Sequence, residues 1–517
     1  VLKRSLIWTY IAIILIAIIT TTESYQILGL FPHPGISHFR FFHPILRGLA
    51  EAGHDVTVIS HFPDKSPPAH YRDFPLEETN TLTDSVDLKI FENRRFYGHF
   101  KEFFMLNEWG RNACETTLKS HALATILKQT RRYDVILTEQ FNTDCMSGVA
   151  YILKAPVIGM SSCALMPWHY DRVGNPANPS YIPALFMGQS EEMGFFSRVG
   201  NWISFHGLKF LYQQYSDKIA TDLIRRKFGN DIPDAGVLAK ETSLLFVNQH
   251  YSLSGAKPLS PAVIELGGIH IQKSKPLDVD IQRILDNAEH GAIYISWGSM
   301  IRAESLPIEK RDGILKAMGR LKQVVLWKWE NDTLPKQPKN VYIRKWMQQR
   351  EILCHPNVKV FMSHGGLMGT SEAVYCGVPT ILTPMYGDQF LNAAAMIHRG
   401  AGHMLRYEDI AENTVFKAVK KALEQKTQDN AKDVQYSFRN RPKKALETAI
   451  WWVEHVARTE GAPLLKSVSV YLPWYSYYCL DIYFFFICII LGSVGFWLWI
   501  VRMFFAKKAP KDKVKKR

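Results

Sequence analysis

The chain has 517 residues, of which 47% are hydrophobic and 21% are charged. That balance is typical of a globular protein and excludes a disordered one, and the length predicts about two to four domains. The formal net charge is +14, but eight basic residues and one acid in residues 502–517 account for seven of these charges. The long remaining body therefore carries +7, which argues against a nucleic-acid-binding protein with its clustered basic face.

The first 24 residues have the layout of a secretory signal peptide. Lys3 and Arg4 precede the apolar run Leu6–Ile19, and small polar residues follow it. Such a segment is removed on maturation. An uncleaved anchor helix is the alternative, but the apolar run is short for one.

A second apolar segment lies near the other end. Residues 482–501 contain no charge, and we predict a transmembrane helix over 478–502. Aromatic residues precede this segment as an interfacial belt would, and the basic tail 503–517 follows it, which predicts a cytosolic tail and a luminal body. Lys513–Arg517 matches the lysine-based retrieval signals of endoplasmic-reticulum membrane proteins, and a plain positive flank fits it equally well.

Two of the seven cysteines lie in the predicted membrane segment. The other five show no paired spacing and no metal-like C-x-x-C, and an odd, sparse set argues against a disulfide framework. These five are Cys114, Cys145, Cys163, Cys354 and Cys376. The sequence Asn331-Asp-Thr is a glycosylation sequon.

The first half of the luminal chain, which we assign to residues 25–255, repeats a strand–helix–strand pattern. Such βαβ units predict a parallel sheet with right-handed crossovers. The strands are Tyr25–Leu30, Asp55–Ser60, Tyr133–Thr138, Pro156–Ser161 and Leu244–Asn248, and the helices are Ser37–Ala52 and Asp144–Leu153. The less regular, aromatic region Pro167–Asp234 fits either a wall around an apolar ligand or ordinary packing.

The alternation of strands and helices begins again after a boundary that we place within Tyr251–Lys275. A second lobe covers residues 256–470. Its strands are Gly291–Ser296, Gln323–Lys328, Val341–Arg344, Val358–Met362 and Thr380–Thr383. The predicted fold class is therefore α/β with two Rossmann-like lobes. The ligand cleft is expected between the lobes, beyond the carboxyl ends of the strands.

The stretch Val358–Gln389 combines the features of a site for a phosphate with a polyhydroxylated body. Its strand leads into a turn, His364-Gly-Gly, with Ser363 as the expected cap of the next helix. A glycine pair lets backbone approach a ligand, and a helix N-terminus offers free amides to an anion. Glu372 can accept from adjacent ribose hydroxyls, while Asp388-Gln389 can accept from and donate to a sugar.

Three residues outside this stretch extend the expected site. Ser299 follows another strand of the same lobe and could converge with His364 on a diphosphate. Trp346 could stack on a flat base, although core packing is the alternative for a single tryptophan. Gln349 could donate a hydrogen bond to the ribose.

The segment Trp346–Gln389 resembles the donor-binding signature of the UDP-glycosyltransferase family, which includes the UDP-glucuronosyltransferases. The same layout of signal peptide, two lobes, membrane helix and basic tail extends over the whole chain. Phe141-Asn-Thr-Asp-Cys145 and Gly387-Asp-Gln-Phe-Leu-Asn392 look most like insect members.

The resemblance implies a glycosyltransferase B fold, a UDP-sugar co-substrate, UDP-glucose or UDP-glucuronate, and inversion at the anomeric carbon. It assigns the donor contacts as follows: Trp346 to uracil, Gln349 and Glu372 to ribose, Ser299, His364, Gly366 and the backbone at Gly369 to the diphosphate, and Asp388 and Gln389 to the sugar. Many vertebrate members carry Asn where this chain has Met368, so backbone amides would have to serve there.

The resemblance places the catalytic base at His38, in Gly35-Ile-Ser-His38 after the first strand. A neutral histidine can take the proton of an acceptor hydroxyl, an effect worth about 10²–10⁴-fold in rate. A carboxylate behind it would fix the tautomer. We predict Asp144 for that carboxylate, with Glu139, nearer the end of the strand, as its rival.

No metal and no resident cofactor are expected. Asp278-Val-Asp280 has the form of a metal-binding pair but more simply caps a helix. The implied fold needs no metal because a helix terminus and hydrogen-bond donors carry the charge of the leaving diphosphate.

The sequence thus predicts a membrane-anchored luminal transferase of the endoplasmic reticulum that conjugates small lipophilic nucleophiles, as in detoxification. A UDP-sugar-binding or carrier protein of the same fold without transfer activity is the alternative. The identity of the acceptor, glucose against glucuronate, and homo-oligomer formation stay open.

Overall fold

We describe the protein from a computed structural model. The structure describes residues 24–76, 86–91 and 98–506. Nearly all of the predicted signal peptide and most of the predicted basic tail lie outside these ranges. The described chain divides into a body that ends at Lys466 and a separate unit that begins at Ser467.

A seven-stranded, all-parallel sheet forms the centre of the first lobe. In spatial order its strands are Tyr71–Pro75, Asp55–Ser60, Gln26–Leu30, Val135–Glu139, Val157–Ser161, Thr242–Val247 and Val263–Glu265. The predicted βαβ units are confirmed. Nearly continuous burial of the central strands explains their unbroken apolar runs, because helices cover both faces of such a sheet.

The helix Ile36–Glu51, here called the His38 helix, follows the first strand. It begins after the extended Gly35 and ends before Gly53, whose φ of +96° suits glycine. Phe42, Leu46 and Leu49 lie on its buried face and pack on the sheet. This packing fixes the first turn of the helix at the carboxyl end of the strand Gln26–Leu30.

A six-stranded parallel sheet forms the centre of the second lobe. Its spatial order is Val341–Arg344, Val324–Lys328, Ala292–Ser296, Val358–Ser363, Thr380–Leu382 and Gly402–Met404. The short strand Val86–Asp87 of the first lobe pairs with Ile301–Arg302 of the second. The lobes are therefore joined by backbone hydrogen bonds as well as by the connecting chain.

Helices cover both sheets. Those of the first lobe, after the His38 helix, are Gly98–Lys119, His121–Lys128, Met146–Leu153, His169–Arg172, Phe195–Leu211, Asp217–Phe228, Ala235–Ala239 and Tyr251–Ser254. Those of the second sheet are Val279–Asp286, Ile308–Gly319, Gln349–Leu353, Leu367–Cys376, Gln389–His398, Glu412–Ala422 and Gln425–Arg439. A π-helical turn, Tyr212–Ser216, joins two of the first group.

Two segments from the second half of the chain pack in the first lobe. The strand Val263–Glu265 lies beyond the boundary that we drew at residue 255, yet it completes the first sheet. The helix Ala445–Arg458, which we assigned to the second lobe, buries Ala449 and Val453 in the first core. Leu446 of this helix contacts the His38 helix at Gly48. The predicted ranges 25–255 and 256–470 thus follow the sheets but miss this return of the chain.

The expectation of no disulfide framework is wrong. Cys114 pairs with Cys145, and Cys354 pairs with Cys376, while Cys163 is buried and free. The paired cysteines are 31 residues apart in the first bond and 22 residues apart in the second, and the fold brings them together. Spacing along the chain therefore gave no signal of the pairs.

The unit from Ser467 contains a 27-residue helix, Leu480–Ala506. Its stretch Leu480–Phe505 is long and apolar enough to cross a bilayer, and it is the one such helix in the described residues. This is where the sequence predicts the membrane segment.

Candidate active site

A cleft of about 310 Å³ lies at the carboxyl ends of strands from both lobes. The first lobe lines it with the start of the His38 helix and with Ser162 and Cys163. The second lobe lines it with every residue that we predicted to bind the donor, which are Ser299, Trp346, Gln349, His364, Gly366, Gly369, Glu372, Asp388 and Gln389. The residues expected at one site are thus brought together at one site.

The centre of the cleft is the N-terminus of the helix Leu367–Cys376, here called the Glu372 helix. Gly366 is its cap, and the first bond back to the cap runs from the Thr370 amide to the Gly366 carbonyl at 3.0 Å. The amides of residues 367–369 therefore have no acceptor within the helix, which makes this end suited to an anion. Ser363 does not cap the helix as predicted. Its hydroxyl accepts from the Gly365 amide at 3.2 Å, within the turn.

His364 packs between two glycines that no larger residue could replace. A Cβ atom would lie 2.8 Å from its ring at Gly298 and 2.5 Å from it at Gly366. Burial, together with the charge of Lys328, lowers the pKa of His364 to about 4. His364 is therefore neutral at physiological pH and can offer one N–H beside the helix terminus. Ser299, next to Gly298, lines the same wall.

Trp346 and Glu372 mark the end of the cleft away from the helix terminus. Trp346 is 55% exposed, so core packing does not explain it. Gln349 Nε2 donates to Glu372 Oε2 at 2.6 Å. Burial raises the pKa of Glu372 to about 7, against the hydrogen bond from Gln349 and the positive charge of Arg40.

Asp388 supplies hydrogen-bond acceptors to the cleft, and Gln389 supplies a donor. Gln389 is buried, and its Oε1 accepts from the amides of Met385 and Tyr386 at 2.8 and 3.3 Å. Its side-chain NH₂ group is the donor, and it hydrogen-bonds the neighbouring Tyr386 hydroxyl. Asp388 Oδ2 accepts from Asn392 Nδ2 at 3.0 Å, and burial raises the pKa of Asp388. The Leu367 amide, at the start of the Glu372 helix, also donates to this carboxylate.

Glu139, not Asp144, is the partner of His38. The distance from His38 Nδ1 to Glu139 Oε1 is 2.6 Å, and Ser162 Oγ lies 2.8 Å from the same nitrogen. Ser162 Oγ also donates to Glu139 Oε1 at 3.1 Å. A carboxylate has no hydrogen to donate, so Nδ1–H donates to Glu139 and Nε2 carries the free lone pair.

Asp144 lies in a different, buried network, which corrects our choice of partner. Its carboxylate pairs with Arg172 and accepts from the Tyr212 hydroxyl. Glu139 is the last residue of its strand and so lies at the ligand edge of the sheet, whereas Asp144 precedes the next helix by two residues. The position at the strand end was the signal that favoured Glu139.

Sequence reasoning missed two residues of the cleft that lie next to these groups. Arg40, two residues after His38 on the same helix, lines the cleft at Trp346. His270 lies with its Nε2 3.9 Å from Glu372 Oε1. Neither residue belongs to a recognisable motif. Arg40 lies on a helix, and the sequence does not show which face of that helix is turned toward the cleft. The sequon residue Asn331 is exposed, away from the cleft-lining set.

The two-lobed architecture matches solved glycosyltransferases. The chain is similar to a structure titled glycotransferase of kitacinnamycin, with a TM-score of 0.55, 15% identity, and coverage of 84% of this chain and 99% of that one. It is also similar to the spinosyn forosaminyltransferase SpnP, with a TM-score of 0.56 and 16% identity over 84% of this chain and 100% of that one. The fold is therefore the glycosyltransferase B fold.

Sequence comparison defines the family. The protein-family model described as UDP-glucoronosyl and UDP-glucosyl transferase matches residues 34–515. The chain is 37% identical to UDP-glycosyltransferase UGT5 of Dactylopius coccus, over 93% of this chain and 92% of the relative. It is 27% identical to UDP-glucuronosyltransferase 2B15 of Rattus norvegicus, over 92% and 93%. The protein belongs to the UDP-glycosyltransferase family, as its donor-site residues predict.

Proposed function

We propose that the protein is an inverting UDP-glycosyltransferase that moves glucose from UDP-glucose to a hydroxyl of small lipophilic acceptors. The observation that carries this proposal is that His38, hydrogen-bonded to Glu139 at 2.6 Å, lines the same cleft as the donor-site residues. A base held by a carboxylate beside a UDP-sugar site is what transfer chemistry needs. A carrier protein would not need the base.

In the proposed mechanism, His38 Nε2 takes the proton of the acceptor hydroxyl as that oxygen attacks C1 of the sugar. The bond between C1 and the diphosphate oxygen breaks on the opposite face, so the configuration inverts. Glu139 accepts from Nδ1–H throughout and stabilises the imidazolium that forms. The amides at the start of the Glu372 helix, with His364 and Ser299, stabilise the charge that develops on UDP.

The charges near the sugar support glucose rather than glucuronate. Asp388 lines the part of the cleft where the sugar is expected. The neighbouring Gly387 amide donates to the carboxylate of Glu102, which is therefore close to this loop. Glu139 adds a third carboxylate close to His38. The carboxylate of a glucuronate would meet like charges here, which disfavours it. The resemblance to insect members points in the same direction.

An apolar acceptor is supported by the aromatic wall beside His38. The Phe141 ring lies 4.7 Å from the His38 ring, centroid to centroid. Phe141 belongs to a hydrophobic cluster, and the predicted wall region Pro167–Asp234 supplies five of its members, Trp168, Leu185, Phe186, Leu208 and Tyr212. An aromatic or aliphatic acceptor would bury surface against such a wall while its hydroxyl reaches Nε2.

The proposed setting is the endoplasmic-reticulum membrane, with the body in the lumen, Asn331 glycosylated and the tail in the cytosol. The helix Leu480–Ala506 supports an anchor. The basic tail supports the orientation. Conjugation of lipophilic compounds in this membrane would serve detoxification.

The experiment that tests this function measures UDP release from UDP-glucose with a panel of phenols, for the wild type and for His38→Ala. We expect turnover with the wild type, and loss of turnover with retained UDP binding in the variant. A wild type that binds UDP-glucose without turnover on any acceptor would favour the carrier alternative. Retained turnover in the variant would contradict the role of His38.

A further inference from the structure

A cation of the first lobe covers the nucleoside end of the donor site. The guanidinium carbon of Arg40 lies 5.3 Å from the centroid of the Trp346 ring. Arg40 is on the His38 helix, and Trp346 is on the second lobe, just after the strand Val341–Arg344. Arg40 therefore reaches across the cleft to the residue on which the base is expected to stack.

The neighbours of Arg40 distinguish a nucleoside contact from a phosphate contact. Its positive charge acts on Glu372, the residue expected at the ribose, and on His270, which lies between Glu372 and the Met368 backbone. Glu372 is the sixth residue of its helix, about 7 Å along the axis from the amides that would hold the diphosphate. The contact with Trp346 therefore places Arg40 at the expected position of the base.

The geometry points to a sandwich of the pyrimidine base between Trp346 and Arg40. A flat ring needs about 3.5 Å on each face, so the guanidinium would move outward from 5.3 Å to about 7 Å. The Arg40 side chain reaches solvent, although its surroundings bury the guanidinium enough to lower its pKa. The planar guanidinium stacks on aromatic faces, and a stacked base gains from both neighbours.

We propose that Arg40 is a donor-binding residue by which the first lobe grips the uracil of the UDP-sugar. The inference rests on the proposed function for the identity of the donor. It adds a contact from the lobe that carries the base. Because His38 and Arg40 are two residues apart on one helix, a bound donor would hold the start of that helix over the cleft.

The test measures the dissociation constants of UMP and UDP by calorimetry on the full-length chain in detergent. For Arg40→Gln we expect both constants to rise by about 5- to 30-fold, and by similar factors, because the lost contact is to the base. Arg40→Lys should fall in between, since an ammonium group keeps the charge but not the plane. Arg132→Gln is the matched control, because Arg132 is exposed in the same lobe and precedes the opposite end of a strand, Val135–Glu139. It should leave both constants unchanged.

A double-mutant cycle with Trp346→Leu separates the sandwich from an indirect effect. If the two residues hold one base between them, the double variant should lose much less affinity than the product of the single losses. Thermal melting of each variant checks that the fold is kept, so that a change in affinity reports the contact itself.

Three results would overturn the inference. Wild-type affinity of Arg40→Gln for UMP would remove the contact. Tighter binding by that variant would make Arg40 a plug that the base must displace. A loss confined to UDP would place Arg40 on the phosphates. These binding results do not depend on turnover, so a chain that transfers no sugar but shows an Arg40-dependent UMP affinity would contradict the proposed function and leave this inference standing.

Discussion

Replacing Glu139 with glutamine removes the charge behind His38 while keeping the size of the side chain. In the structure, Glu139 Oε1 lies 2.6 Å from His38 Nδ1 and Ser162 Oγ lies 3.1 Å from the same carboxylate oxygen. The glutamine can still contact Ser162. What it loses is the negative charge that stabilises the imidazolium formed during proton transfer.

The size of the effect follows from this geometry. A hydrogen bond to a charged group contributes about 1.5–3 kcal/mol. Two unit charges about 4 Å apart at an effective dielectric constant of about 20 interact by about 4 kcal/mol. A loss of about 2–4 kcal/mol in the transition state corresponds to a fall in kcat of about 30- to 1,000-fold. The dissociation constant of UDP and the Tm should stay near their wild-type values.

Asp144→Asn is the matched comparison, because Asp144 was the other candidate for the same role. Asp144 and Arg172 are both buried, and breaking a buried ion pair leaves a charge without compensation, at a cost of about 3–5 kcal/mol of stability. We expect a lower Tm and poor yield, with kcat per folded molecule close to wild type. Steady-state rates with UDP-glucose and a phenol, set beside thermal melting, give both quantities. A Glu139→Gln enzyme of full kcat, or a stable Asp144→Asn protein with the larger fall in kcat, would refute the assignment of Glu139.

Three further predictions concern the donor site. The pKa of Glu372 is raised to about 7, so its carboxylate form is lost as the pH falls through 7, and the affinity for UDP-glucose should drop about fivefold or more between pH 8 and pH 6; Glu372→Gln should remove this pH dependence, and a persisting one would assign it elsewhere. Asp388→Asn should lower kcat/KM for UDP-glucose by about 10- to 100-fold with little change in the binding of UDP, because Asp388 is expected to contact the sugar; equal losses for UDP and UDP-glucose would contradict a sugar contact. Removing the disulfide with Cys354→Ser and Cys376→Ser should lower the stability by about 2–4 kcal/mol and weaken UDP-glucose binding, because the bond joins the ends of the helices that carry Gln349 and Glu372. Unchanged melting in that variant would count against the bond.

The strand–turn–helix of the donor site could be predicted because local rules determine it. The apolar run Val358–Met362 can be satisfied as a buried parallel strand, and His364-Gly-Gly requires a tight turn after it. In the structure Gly365 has a φ of +87° and would place a Cβ atom 3.1 Å from a backbone oxygen of Gln389. The resemblance assigns Gln349 and Glu372 to the ribose, and the structure adds that Gln349 donates to Glu372.

What the sequence missed depends on contacts between distant segments. The strand Tyr71–Pro75 is an edge strand that ends in proline, and Gly402–Met404 has three residues, so neither has a clear alternating pattern. The partner of His38 depends on which carboxylate reaches a helix about 100 residues earlier in the chain. Arg40 follows the same logic, because its partner Trp346 lies on the other lobe.

The most direct test of the central claim compares turnover by the wild-type protein with UDP-glucose and with UDP-glucuronate, on the same panel of phenols and with His38→Ala beside it. We expect a glucoside product from UDP-glucose that is inverted at the anomeric carbon. We expect much slower turnover with UDP-glucuronate and none above background in the variant. Faster turnover with UDP-glucuronate would contradict the assignment of a neutral sugar. Glucoside formation by His38→Ala at the wild-type rate would contradict the account of catalysis.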